Sequence, residues 1–169
     1  MMNATGRTWQ AALVAALVVA AAMLTAGCEK PQSGPQPSAK VTIRGQSWQV
    51  ELAATADQRY QGFSDRKDLP AGRGMLFIFP QPQVLDFCMR FCLIPLDIAF
   101  IGPDMRVVRM YTMEVEPYGF DTKHYDSEVP AQYALEVPKG ALTAAGVRVG
   151  DKVEFSSNMP DAAKAEPDP

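Results

Sequence analysis

The sequence predicts a mainly β fold, a single β-sandwich or open-barrel-like domain with one or two short helices. Three observations predict it. Short apolar runs, several of them alternating, recur from Val41 to Phe155 with turn residues between them. Met75 to Phe79 is a continuous apolar run, too short for a helix of ordinary length, and reads as a buried strand. Gly102-Pro103-Asp104 separates two further apolar runs with strong turn chemistry.

In chain order, Val41 to Ile43 and Trp48 to Leu52 alternate around Gly45-Gln46-Ser47 and predict a β-hairpin. In TADQRYQG, Thr55 and Gln58 have capping-box spacing and Gly62 can supply a left-handed stop, which predicts a helix of about two turns. Arg59 and Arg66 flank that turn region. The strand from Met75 to Phe79 should stop at Pro80, and Phe87 to Met89, Asp97 to Ile101 and Arg106 to Glu114 follow as strands. Glu116 to Pro130 reads as one long polar loop, and its Tyr118, Phe120, Tyr125 and His124 argue against disorder. Tyr133 to Val137 and Lys152 to Ser156 are the last strands, with ALTAAG at 141 to 146 as a short helical turn between them.

Outside this domain, residues 1 to 27 read as an export signal, with Arg7 as the only charge and a 14-residue apolar run from Ala11 to Leu24. The run is too short to span a bilayer. It ends in Leu24-Thr25-Ala26-Gly27-Cys28, which looks like the lipobox cut by lipoprotein signal peptidase, so Cys28 is expected to become the acylated first residue. An ordinary cleaved signal and an uncleaved anchor are the alternatives. Glu29 is not the Asp that retains lipoproteins in the inner membrane, so the expectation is an outer-membrane lipoprotein facing the periplasm. Acyl chains contribute about 0.8 kcal/mol per buried CH2, so several on one cysteine suffice as an anchor. Residues 28 to 40, rich in Pro, Gly, Ser and Gln, read as a flexible tether, residues 41 to 156 as the domain, and residues 157 to 169 as a disordered tail. The 16 Lys and Arg against 19 Asp and Glu exclude the basic balance of a nucleic-acid binder.

Five stretches, QRYQGFSDR, GRGMLFIFP, FCMRFCLIPLDIAFI, HYDSEVPAQYALEVPKG and GVRVGDKVEF, together resemble the bacterial and archaeal family catalogued as domain of unknown function 192. The resemblance implies a β-sandwich-like fold and supplies no reaction. It does mark positions, among them Arg59, Arg66, Met89, Asp97, Tyr125, Ser127, Tyr133 and Glu136. In FCMRFC this chain departs from a family pattern resembling FWMKNT, so Cys88 stands where Trp is typical and Cys92 where Thr is.

For function, the expectation is a non-catalytic binding or accessory module of the cell envelope, with a glycan or another envelope protein as partner. Arg66, Asp97, Glu136, Tyr125, Ser127 and Met89 are the candidate ligand-binding residues. Asp97 should need a cationic partner such as Arg66 or Arg59. Two alternatives come from other classes. Asp97 and Glu136 sharing a cleft would make a carboxylate-dependent hydrolase of envelope glycans. Cys88, Cys92, Met89 and His124 converging would make a copper-handling or redox lipoprotein. A serine triad is not indicated, since GxSxG is absent and His124 is the one histidine. Cys88 and Cys92 are expected mainly to pack, because in an extended segment residues four apart lie about 13 Å from each other and only a turn just after Met89 would bring them together.

Overall fold

The computed structural model describes residues 38–117 and 123–167. The expected signal, Cys28 and most of the tether, with Tyr118 and Phe120, lie outside the described residues. Among those described, no helix is long and apolar enough to cross a membrane.

The chain opens with the hairpin β1 (Ser38–Ile43) and β2 (Gln46–Ala53), in register from Ser38 opposite Glu51 to Ile43 opposite Gln46. Only Arg44 and Gly45 lie between the strands, and both have positive φ, +52° and +80°. Two left-handed residues in a two-residue loop match the twist of a hairpin, so Gln46 and Ser47 are free to pair in the strand.

Helix α1 (Ala56–Gln61) carries the expected capping box. Thr55 Oγ1 accepts from the Gln58 amide at 3.2 Å and Gln58 Oε1 accepts from Thr55 at 3.1 Å, while Gly62 ends the helix at φ +46°. Strand β3 (Arg73–Gln83) then runs parallel to β2. It continues past Pro80, where the sequence reading stops it. Its pairing shifts register between Ile78 and Gln83, and this irregularity absorbs a proline that has no N–H to give the ladder.

The remaining elements are β4 (Asp86–Cys88), β5 (Leu96–Ile101), β6 (Val107–Met113), β7 (His124–Asp126), β8 (Ala131–Pro138), α2 (Ala141–Ala144) and β9 (Val153–Phe155). Seven strands form one sheet in the order β6-β5-β8-β3-β2-β1-β9, and β4 pairs with β7 in a separate ribbon. Strand β7 lies inside the stretch expected to be a loop, since three residues are too few for alternation to register. The seven-stranded sheet curls until its two edge strands meet at one end. There Arg106 bridges Lys152, and Val107 and Val153 donate to Asp151 and Met105 at 3.0 and 2.8 Å. Of the two expected forms, the fold is thus the open barrel: mainly β, with two short helices.

Both faces of the central strands are covered. Val41, Trp48, Val50, Leu76, Ile78, Leu135 and Val137 fill the concave interior, while Met75, Phe77, Phe79, Ile98, Phe100 and Ala134 point outward into a second apolar cluster. Leu85, Met89 and Tyr125, from in and around the β4–β7 ribbon, are part of that second cluster.

The tail departs from the expected disorder. Ala162–Lys164 forms a 3-10 turn, Ala162 and Ala165 are buried in the interior cluster, and the Glu166 amide donates to Ala54 O at 2.9 Å. Composition misleads here because two small alanines are enough to fill a gap in the curled sheet, and backbone hydrogen bonds hold the rest.

One close approach tests the packing of β3 on β8. A Cβ on Gly74 would stand 2.5 Å from the Glu136 carbonyl oxygen and 3.0 Å from Val137 Cγ1. Gly74→Ala should therefore push the two strands apart and destabilise the domain by about 1–3 kcal/mol. A urea melt checks this, as a lower midpoint with the slope unchanged.

Candidate functional site

A cleft of about 520 Å3 opens between α1 and β4, above the outer face of the sheet. Phe77 and Phe79 of β3 and Glu136 of β8 line it from the sheet. Helix α1 with Phe63 and Ser64 lines one side, and Asp86, Phe87, Cys88, Arg90 and Cys92 line the other.

The second side is shaped by a turn directly after Met89. The Cys92 amide donates to Met89 O at 3.1 Å and Phe91 takes φ +57°, so FCMRFC is not extended throughout. This turn is tied to the segment after α1: Ser64 bridges Cys92, Ser64 Oγ donates to Arg90 O at 3.2 Å, and the Asp65 amide donates to Phe91 O at 2.8 Å. The Arg90 side chain returns across the cleft to α1. Its guanidinium lies 3.8 Å above the Tyr60 ring and donates to Tyr60 O at 3.0 Å, which leaves Nε buried without a partner among the described residues.

Glu136 is 5 % exposed at the cleft floor, and burial alone acts on its carboxyl, with no hydrogen bond or charged partner among the described residues. Burial pushes its pKa up to about 8, with no guanidinium pulling it back. The neighbouring Cys92 thiol is pushed up to about 12, first by burial, then by Glu136 and Cys88. Both cysteines are free thiols.

The other residues singled out in the sequence fall elsewhere. Asp97 is buried, but its partners are neutral: Oδ1 accepts from Thr112 Oγ1 at 2.8 Å and Oδ2 from the Leu142 amide of α2 at 3.1 Å. Neither expected arginine reaches it. Arg66 holds Glu51 with two bonds of 2.7 and 2.6 Å, and Arg59 donates to the carbonyls of Ala54, Ile78 and Glu166. Asp97 and Glu136 do not share a cleft either. Across β5 and β8, Asp97 stands opposite Val137 and Ile98 opposite Glu136, so the two carboxyls project from opposite faces of the sheet. Two carboxylates flanking one bond, as a glycosidase requires, cannot come from this pair.

Ser127 is fully buried, accepting from the Leu85 amide at 3.0 Å and donating to Val129 O at 2.7 Å. Tyr125 is buried beside Tyr111, with ring centroids 5.5 Å apart, and its hydroxyl pKa is raised by burial and then by Glu116. Met89 is packed in the outer cluster, and His124 bonds Asp86 through Nδ1 at 2.6 Å on the exposed side of the ribbon. Of the candidate copper ligands, Cys88 and Cys92 alone line the cleft. Among the described residues no three His, Cys, Asp or Glu side chains are placed to hold a metal.

The family described as Uncharacterized ACR, domain of unknown function 192, matches residues 39–155. The chain belongs to this family. Two solved structures resemble the family domain. One is of a protein of unknown function from Novosphingobium aromaticivorans DSM 12444, 33 % identical, with 74 % of this chain and 89 % of that one covered and a TM-score of 0.66. The other is of a protein from Sinorhizobium meliloti 1021 proposed as a transcription regulator, 28 % identical, with 73 % and 97 % covered and a TM-score of 0.63. A comparison with curated proteins finds no match.

Sequence reasoning about the family domain missed Tyr60, Arg90 and the α1 side of the cleft. The one local signal was Arg90 standing between two cysteines in a segment that departs from the family pattern. The approach of α1 to β4 is a tertiary fact that no local pattern carries.

Two predictions come from these environments. Because Glu136 holds its proton to about pH 8 when folded and to about 4.5 when unfolded, the folded state binds the extra proton between these values. Stability should fall as pH rises through that window and level off above it. In Glu136→Gln that contribution to the slope should vanish, which melting temperatures from pH 4 to 9 would reveal. For the thiols, half-buried Cys88 should react with a thiol reagent at pH 8 in the native protein, while Cys92 should react only after unfolding. Equal native rates for the two would contradict this.

Proposed function

We propose that this chain is a non-catalytic ligand-binding module of the bacterial cell envelope, exported and held by lipid at Cys28 to the outer membrane on its periplasmic side. The binding site is the cleft between α1 and β4. One observation carries the reading: a buried carboxyl, Glu136, lines a 520 Å3 cleft together with Phe77, Phe79 and Phe87 and takes no hydrogen bond from the described residues. A hollow with an aromatic floor and a few polar groups at its walls is the usual form of a small-molecule site, and a ligand donor could pair with the Glu136 carboxyl. An envelope glycan or the side chain of an envelope protein could provide such a group.

The regulator role proposed for the Sinorhizobium protein is not carried over, since acidic residues outnumber basic ones here. The paired-carboxylate hydrolase lacks its pair. A thiol-based reading keeps one supporting observation, that Cys88 and Cys92 line the same cleft.

Two measurements test the proposal. Cys28→Ser should abolish the lipid mass on the protein and release it from the detergent-extracted membrane fraction; a variant that stayed membrane-bound would remove the anchor. Cys88→Trp restores the residue typical of the family resemblance and should fill the cleft. It should fold as wild type yet lose at least tenfold in affinity for whatever envelope fragment wild type retains in a pull-down of digested envelope. Unchanged retention would move the site elsewhere.

A further inference from the structure

The chemistry of the cleft narrows its ligand, on the premise that the cleft is the binding site. We propose that it takes an organic ammonium group, with the positive charge seated against Glu136 and the apolar part among Phe77, Phe79 and Phe87.

The argument begins with charge. Glu136 faces outward from β8, and its strand neighbours there, Met75 on β3 and Ile98 on β5, bring no charge to it. Around it, α1 contributes Asp57 and Arg59, β4 contributes Asp86 and Cys88, and the turn contributes Arg90 and Cys92. Asp65, in the segment after α1, also acts on the Cys92 thiol. Neither arginine is turned to the carboxyl. Arg59 spends its terminal nitrogens on three backbone carbonyls, with its guanidinium 4.9 Å above the Phe79 ring, and Arg90 lies over Tyr60. A buried acid without a cationic neighbour stays protonated, and a cation seated against it lowers the cost of its ionisation. An anionic ligand would instead oppose the ionisation of Glu136, and would meet Asp57 and Asp86 as well as Arg59 and Arg90.

The walls agree with this choice. The guanidiniums of Arg59 and Arg90 cover Phe79 and Tyr60, while Phe87 in the same cleft has no cation over its ring among the described residues and can take the ligand's positive end or its apolar arm. The hollow is roomy enough for a substituted ammonium with an apolar arm. The arrangement also makes a signature available. A cation bound against Glu136 favours its ionised form, so binding below about pH 8 should release a proton, and affinity should rise with pH until the carboxyl is ionised without help.

The test is isothermal titration calorimetry on the full chain in non-ionic detergent, with three probes of similar shape: benzyltrimethylammonium, benzamide and benzoate. The quaternary probe keeps its charge at every pH used. It should bind more tightly than benzamide, and benzoate weakest. From pH 7 to pH 9 its affinity should rise about tenfold, one decade per pKa unit below the midpoint. At pH 7, buffers of different ionisation enthalpy should report close to one proton released.

Glu136→Gln should reduce the cation to the affinity of benzamide and remove both the pH rise and the proton release. Glu136→Asp should keep the pH rise, which separates loss of charge from loss of fold. If benzamide or benzoate bound best, or cation affinity were flat with pH, with binding still abolished by Cys88→Trp, the ammonium assignment would be overturned and the cleft would stand. If no probe bound, or Cys88→Trp left binding intact, the cleft reading and the assignment would fall together.

Discussion

The constraint on which the rest of the structure depends is the burial of β3, β5 and β8 on both faces. All six residues of β5 are buried, and six successive residues of β3 are. A sheet whose central strands are apolar on each side must find cover twice. The concave face finds it by curling, with Leu142 of α2 and the alanines of the tail completing the interior. The convex face cannot cover itself. It depends on separate pieces, α1 with the segment after it on one side and the β4–β7 ribbon on the other, and the cleft is the seam between them, with Glu136 beneath it.

Arg59 shows how tightly these pieces are bound together. Its guanidinium joins the loop before α1, the middle of β3 and the chain beyond the last strand through three carbonyls, and stacks on Phe79 as well. Hydrogen bonds to a charged donor contribute more than neutral ones, and a buried guanidinium demands that all its partners be present together. Asp97 plays a comparable part on the concave side. It accepts from the first turn of α2 and from the β6 hydroxyl of Thr112, so a residue marked by its charge serves the geometry of the sheet.

What was legible in the sequence was what depends on neighbours in the chain. The capping box at Thr55 and Gln58 and the uninterrupted apolar run of β3 follow from local spacing and were read correctly. Partners brought by topology were not legible. That Asp97 would meet Leu142 and not an arginine depends on the order of β5 and β8 and on where α2 begins, and the opposite facing of Asp97 and Glu136 depends on a register of one residue. Strand β7 and the passage of β3 through Pro80 were missed for a related reason: pairing with another segment decides them. The thiols fall between the two cases. That only a turn after Met89 could bring them together was readable, while the turn itself and the hydrogen bonds from Ser64 and Asp65 that hold it, from 25 or more residues away, were not.

The docking of the tail has a practical meaning for anyone dividing this chain. The family match ends at residue 155, yet Ala162 and Ala165 lie in the interior cluster and Glu166 closes the hydrogen bonds of both Ala54 and Arg59. A boundary drawn by similarity would cut through the folding unit. Trimmed there, the protein would expose the apolar end of its half-barrel and strip a carbonyl from a buried guanidinium, so poor yield or aggregation of the short form would reflect where it was cut and not a property of the family.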